Sequence, residues 1–158
     1  MDLQLRKFDP STMGDDKVCI FVGKRGTGKS TLVTDILYHK RHIPAGIVMS
    51  GTEDGNHHYR QFVPDLFIYG DYNKGAVEKV LERQRKLVGM GRNQPAFLLL
   101  DDCMYDDSWT HDKNIKYLFM NGRWLKVFFL ITMQYPLGIQ PALRTNVDYV
   151  FILREPYA

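Results

Sequence analysis

Cysteine is scarce in this chain, and so are long apolar runs; each shortage removes a class of protein. There are two cysteines in 158 residues. Cys19 and Cys103 are too few for the disulfide framework of a small secreted scaffold and lack the paired spacing of a zinc site. No window approaches the ~18 consecutive apolar residues that a membrane span requires, and Met1-Asp2-Leu3-Gln4 has no basic-then-apolar layout of a signal peptide. The expectation is therefore a soluble cytoplasmic protein without a membrane span. Excess charge is also small: a formal net charge of +3 permits contact with a polyanion without demanding it. With no internal repeat and no low-complexity tract, the length suits one α/β domain over residues 1–158, of which 1–16 reads as a surface lead-in.

What is present is one strong motif. Gly23-Lys24-Arg25-Gly26-Thr27-Gly28-Lys29-Ser30-Thr31 matches the GxxxxGK[ST] phosphate-binding loop at every fixed position. It follows the apolar, β-branched run Lys17–Val22 and precedes Leu32, Val33, Ile36 and Leu37, which recur with helical spacing, so the strand-loop-helix context is in place. The chemistry explains the spacing. Glycines at 23, 26 and 28 let backbone N–H groups curl around a polyphosphate without Cβ clashes, and the helix start adds its own unpaired N–H groups. Lys29 is the mobile cation for the β and γ phosphates of ATP, and Ser30 the hydroxyl ligand of a magnesium ion.

Further along, the helix is expected to run to about His42, with the basic turn His39-Lys40-Arg41-His42 at its dipole-favoured end and Pro44 stopping it. Gly46–Ser50 reads as a strand, and residues 51–60 as a polar loop in which His57 and His58 are solvated rather than metal-bound. Leu66–Tyr69 reads as a short strand, and residues 73–88 as an amphipathic helix. Ala96–Asp102 is apolar on both faces until it closes on two carboxylates, the pattern of a central parallel strand. Asp101 at its end suits the magnesium shell, and Asp102 suits the base that polarises an attacking water. Asp106, Asp107 and Asp112 read as solvated acids around Trp109. A helix carrying Ile115, Leu118 and Phe119 leads to the apolar strand Val127–Thr132. That strand delivers Gln134, an amide able to bond both the γ-phosphate and the water. Pro136–Asn146 reads as a loop and Tyr149–Leu153 as the last strand.

In combination, the loop at 23–31, Leu100-Asp101-Asp102-Cys103 and the run from Phe129 through Gln134 to Gly138 resemble the FtsK/HerA superfamily of DNA-pumping ATPases. Within it they are similar to the genome-packaging ATPases of the large nucleocytoplasmic DNA viruses. The resemblance implies an α/β, RecA-like P-loop NTPase fold, a mostly parallel central sheet with helices on both faces, and the Gln134 strand between the phosphate-loop strand and the Asp-Asp strand. It also implies a homo-oligomeric ring acting on double-stranded DNA at a viral assembly site in the host cytoplasm, with capsid or portal components as further partners and association with the virion. Members carry an arginine eleven positions before the strand-terminal Gln, which makes Arg123 the arginine finger reaching a neighbour's nucleotide, with Arg144 as its rival. Many members have Glu where this chain has Asp102, which leaves Glu53 as a rival base. The family's further C-terminal elements are expected to be missing here. Two other readings fit the loop alone: a small P-loop kinase of nucleosides or nucleotides, and a nucleotide-dependent assembly protein.

Overall fold

A computed structural model describes residues 2–52, 57–103, 107–135 and 139–154. Six strands, β1 (Val18–Val22), β2 (Ala45–Ser50), β3 (Ile68–Tyr69), β4 (Ala96–Asp101), β5 (Val127–Met133) and β6 (Tyr149–Ile152), form one sheet in the order β3-β2-β4-β5-β1-β6. Every pairing in it is parallel. The two most continuously apolar runs, β4 and β5, lie inside the sheet because they have no face to give to water. β5 sits between β1 and β4, as the resemblance implies.

The pleat divides the core in two. Alternate residues such as Ile20, Leu98, Leu100, Phe129 and Ile131 point to one face, where α2 (Lys74–Gly89) and α3 (Lys113–Asn121) cover them with Val77, Leu81, Ile115 and Leu118. The intervening residues, Cys19, Phe21, Leu99, Phe128 and Leu130, point to the other face and pack on α1 (Lys29–His39) through Val33, Ile36 and Leu37. Fully burying each such aliphatic side chain contributes about 1.5–3 kcal/mol relative to exposure. Among the described residues no helix is long and apolar enough to cross a membrane.

Local departures from expectation have identifiable causes. α1 stops at His39, not near His42, because Lys40 leaves helical geometry and turns inward. Its ammonium is buried, donates to the Met13 carbonyl and lies 2.9 Å from Asp15, which also takes His42 at 2.7 Å. The basic turn is thus partly consumed in pinning the end of the lead-in, where Met13 is buried. The strand expected from Leu66 starts at Ile68, after a 3-10 turn over Asp65–Phe67. The 136–146 loop contains a one-turn helix, α4 (Pro141–Arg144).

Asp112 is not a solvated acid. It is buried, caps α3 by accepting the Asn114 N–H at 2.9 Å, and takes the Tyr72 hydroxyl. Asp106 and the Asp107 side chain lie outside the described residues. His58 is likewise engaged, its Nε2 lying 2.8 Å from Thr34 Oγ1 on α1. No cluster of three metal-ligating His, Cys, Asp or Glu side chains occurs among the described residues.

Candidate active site

The carboxyl ends of β1, β2, β4 and β5 open on a cavity of about 720 Å³ bordered by the phosphate loop, the start of α1, Gly51, Thr52, Asp101, Asp102 and Gln134. Such a crevice is where open parallel α/β sheets bind ligands, because the helix N-termini converge there. The loop takes its curl from Gly26 and Gly28, at φ of 76° and 98°, values that a Cβ would make costly. Gly28 is also the N-cap of α1 and offers no side-chain cap, so the first-turn N–H groups have no side-chain acceptor there. Thr27 closes the loop from within by donating to the Lys24 carbonyl at 2.6 Å.

Lys24, Arg25, Gly26, Gly28, Lys29, Ser30 and Thr31 border the cavity. Gly23 and Thr27 are not among the residues bordering it, and the Gly23 N–H extends the ladder to the Met133 carbonyl at 3.1 Å. Lys29 Nζ donates to the carbonyls of Gly23 and, at 3.1 Å, Lys24. Burial pushes its pKa below the ordinary lysine value, against the opposing pull of Asp102 and Asp101.

Asp101 ends β4 almost wholly buried, at 4% exposure. It is flanked in register by Ser50 of β2 and Thr132 of β5. Ser50 Oγ donates to one carboxylate oxygen at 3.0 Å and Thr132 Oγ1 to the other at 2.7 Å. Burial raises the pKa of Asp101, and these hydroxyls, with Tyr59, work the other way. Asp102 follows with φ of 52°, a left-handed backbone that costs on the order of 1–3 kcal/mol for a residue with a Cβ. Two contacts hold it there. The Asp102 N–H donates to Thr132 Oγ1 at 3.0 Å, and its carbonyl lies so close to Gly51 that a Cβ there would stand 2.7 Å away.

Gln134, the first residue after β5, borders the same cavity. Lys29, Ser30, Asp101, Asp102 and Gln134 are therefore brought together. Arg123 and Arg144 are not among the residues bordering this cavity. Arg123 stands at the opposite, amino end of the sheet, where its half-exposed guanidinium pairs with Asp148, whose other oxygen accepts the Val18 N–H at 2.9 Å. Arg144 donates to the Ile139 carbonyl at 2.9 Å. Glu53 lies outside the described residues. Cys103 is buried against Met49, and burial pushes its thiol up to about 12, far from nucleophilic use.

Ser50, Gly51, Thr52 and Thr132 were not legible as site residues. For Ser50 and Thr132 the signal was present, polar side chains closing or interrupting otherwise apolar strands in a sheet where each such group must find a partner; for Gly51 and Thr52 it was only their place in the polar loop leaving a strand's carboxyl end.

No protein-family model matches the chain. Among curated proteins it is 44% identical to a protein of Invertebrate iridescent virus 6, over 92% of this chain and 57% of that protein. It is 35% identical to a protein of Acanthamoeba polyphaga mimivirus, over 96% of this chain and 57% of that protein. The chain thus spans little more than half the length of these relatives. Among solved structures, the genome packaging NTPase B204 from Sulfolobus turreted icosahedral virus 2 in complex with ATP-gammaS superposes with a TM-score of 0.62 at 20% identity, covering 91% of this chain and 78% of that one. EssC (ATPases 2 and 3) from Geobacillus thermodenitrificans gives 0.58 at 19% identity, covering 91% and 35%.

Proposed function

Since the chain has the fold of the FtsK/HerA-type P-loop ATPases, we propose that it hydrolyses ATP to move double-stranded viral DNA into a capsid, working as a homo-oligomeric ring. One observation supports this above all: a phosphate loop, two strand-end carboxylates and a strand-end glutamine border a single cavity. A nucleotide switch needs only the first of these. The viral relatives support the setting, a viral assembly site in the host cytoplasm with capsid or portal components as further partners.

Each residue then has a task. The loop N–H groups and Lys29 bind the polyphosphate, with Lys29 exchanging its carbonyl partners for phosphate oxygens. Ser30 and Asp101 would hold a magnesium ion, which neutralises charge on the β and γ phosphates. The donor set fits that ion, since both offer hard oxygen and neither sulfur nor imidazole borders the cavity among the described residues. Asp102 accepts the proton of the attacking water. Gln134 orients that water with its amide. Arg123 reaches the nucleotide of the adjacent subunit, which its position at the far end of its own sheet makes the only nucleotide it can serve.

Purified protein should hydrolyse ATP, with duplex DNA stimulating turnover and binding without base preference and with a steep loss in added salt. Phosphorylated product on adding nucleosides would overturn the motor reading in favour of a kinase. Asp102→Asn should keep ATP bound while lowering turnover about 10²- to 10⁴-fold, the usual worth of a general base. If Glu53→Gln stops turnover and Asp102→Asn does not, the base is Glu53.

A further inference from the structure

Ser50 and Asp101 end β2 and β4, Thr132 is the penultimate residue of β5, and the three are register partners on adjacent strands, all buried. The arrangement is close to symmetric. Each hydroxyl donates its single proton to a different oxygen of Asp101. Each also accepts a backbone N–H from a residue bordering the cavity: Thr132 from Asp102 at 3.0 Å, Ser50 from Thr52 at a longer 3.4 Å. Among the described residues, every side-chain hydrogen bond of these two hydroxyls runs to this one carboxylate or to the turns beside it, including the 3.4 Å contact of Ser50 Oγ with Thr52 Oγ1.

We propose that Ser50 and Thr132 are positioning residues of the nucleotide site, clamping the Asp101 carboxylate so that its remaining lone pairs face a divalent cation, and that Thr132 also fixes the backbone of Asp102. The inference rests on the reading of Asp101 as the cation's carboxylate. A carboxylate on a short side chain swings about two torsions, and a donor on each oxygen removes that freedom before a cation arrives. Thr132 does more than Ser50 because its acceptor bond holds the left-handed Asp102. Without the Oγ1 acceptor, the Asp102 N–H loses its partner and the strained turn loses a restraint. An isolated buried threonine would be an ordinary satisfied polar group; this one joins both strand-end acids and stands two residues before Gln134, which directly follows β5.

The test uses Mn²⁺ as the probe, its affinity measured by electron paramagnetic resonance on protein saturated with a non-hydrolysable ATP analogue. Thr132→Val and Ser50→Ala should each weaken Mn²⁺ about 10- to 100-fold, the usual cost of removing an outer partner of a metal ligand. Nucleotide affinity measured without metal should hold, and Thr132→Ser should restore wild-type Mn²⁺ binding. At saturating cation, the residual loss of kcat should be larger for Thr132→Val than for Ser50→Ala. Folded Thr132→Val with wild-type Mn²⁺ affinity overturns the proposal. If Thr132→Val does not fold, an unchanged affinity in Ser50→Ala overturns it equally. Wild-type protein that binds the analogue but no Mn²⁺ would remove the reading of Asp101 itself.

Discussion

The two ends of the sheet handle charge in opposite ways. At the amino end charges meet their opposites: buried Lys40 and exposed His42 share Asp15, and Arg123 pairs with Asp148. At the carboxyl end the hydrogen-bond partners of Asp101 and Lys29 are neutral, although Asp102 and Asp101 act on Lys29 without forming an ion pair with it. Asp101 is held by hydroxyls, those of Ser50 and Thr132 with Tyr59 beside them, and Lys29 by two carbonyls, and neither has an ion-pair partner among the described residues. Burying a charge without a counter-charge is expensive, and a sequence under pressure only to fold would replace it. The amino end thus matches its charges directly, and the carboxyl end leaves unmatched the two that the proposed function needs, Lys29 for an anion and Asp101 for a cation.

The comparison can be pressed hardest at Lys29. Lys29→Ala should drive ATP affinity below detection in a calorimetric titration with little change in Tm; a retained wild-type affinity would break the division. Next is Arg123, an amino-end residue with a proposed catalytic role across a subunit boundary. Arg123→Ala should lower turnover about 10³- to 10⁵-fold, the worth of an arginine finger where one is used. Mixing Arg123→Ala and Lys29→Ala proteins should recover part of the activity, because some interfaces then hold both intact halves. Mixed rings that stay inactive would return Arg123 to a purely structural pairing with Asp148.

Smaller effects sharpen the picture. Burial alone would raise the pKa of Asp15, but hydrogen bonds from Lys40 and His42 outweigh it and the net shift is downward. A lowered carboxylate pKa gives stability that is present above the unfolded value and lost as pH falls through the folded one. Asp15→Asn should cost about 1–3 kcal/mol at pH 7, less than a fully buried pair because Asp15 keeps solvent contact. The Tm gap to wild type should close below the reference value of 3.8. Asp101→Asn has the smallest expected effect on stability and is the most pointed test. It should abolish hydrolysis while leaving Tm at pH 7 equal or higher, since it removes a buried charge; a clear drop in Tm would place Asp101 among the stabilising groups instead.

How much of this could be read beforehand follows from the range of the interactions. The phosphate loop, α1 and the strand-end acids were legible because local pattern specifies them: a run of fixed spacing, helical periodicity, an apolar stretch ending in carboxylates. The place of β5 between β1 and β4 came from the resemblance, since periodicity within a strand carries no information about its neighbour. Lys40 and Asp112 were misjudged for a common reason. Each is a charged residue in a polar stretch whose partner, Asp15 or Tyr72, is distant in sequence, and burial of such a residue depends wholly on that partner. The clamp of Ser50 and Thr132 on Asp101 needs three strands in register and was equally out of reach.

The strand order also sets a timetable for synthesis. β1 and the phosphate loop leave the ribosome before the other five strands of this sheet, yet the sheet neighbours of β1 are β5 and β6, and its first residue bonds Asp148, 130 positions later. A growing chain therefore carries a complete nucleotide-binding motif with no strand on either side of it. Because long-range parallel pairing must await the distant segment, nascent chains stopped before Val127 should not retain nucleotide, and the binding site should come into being only as β5 and β6 emerge.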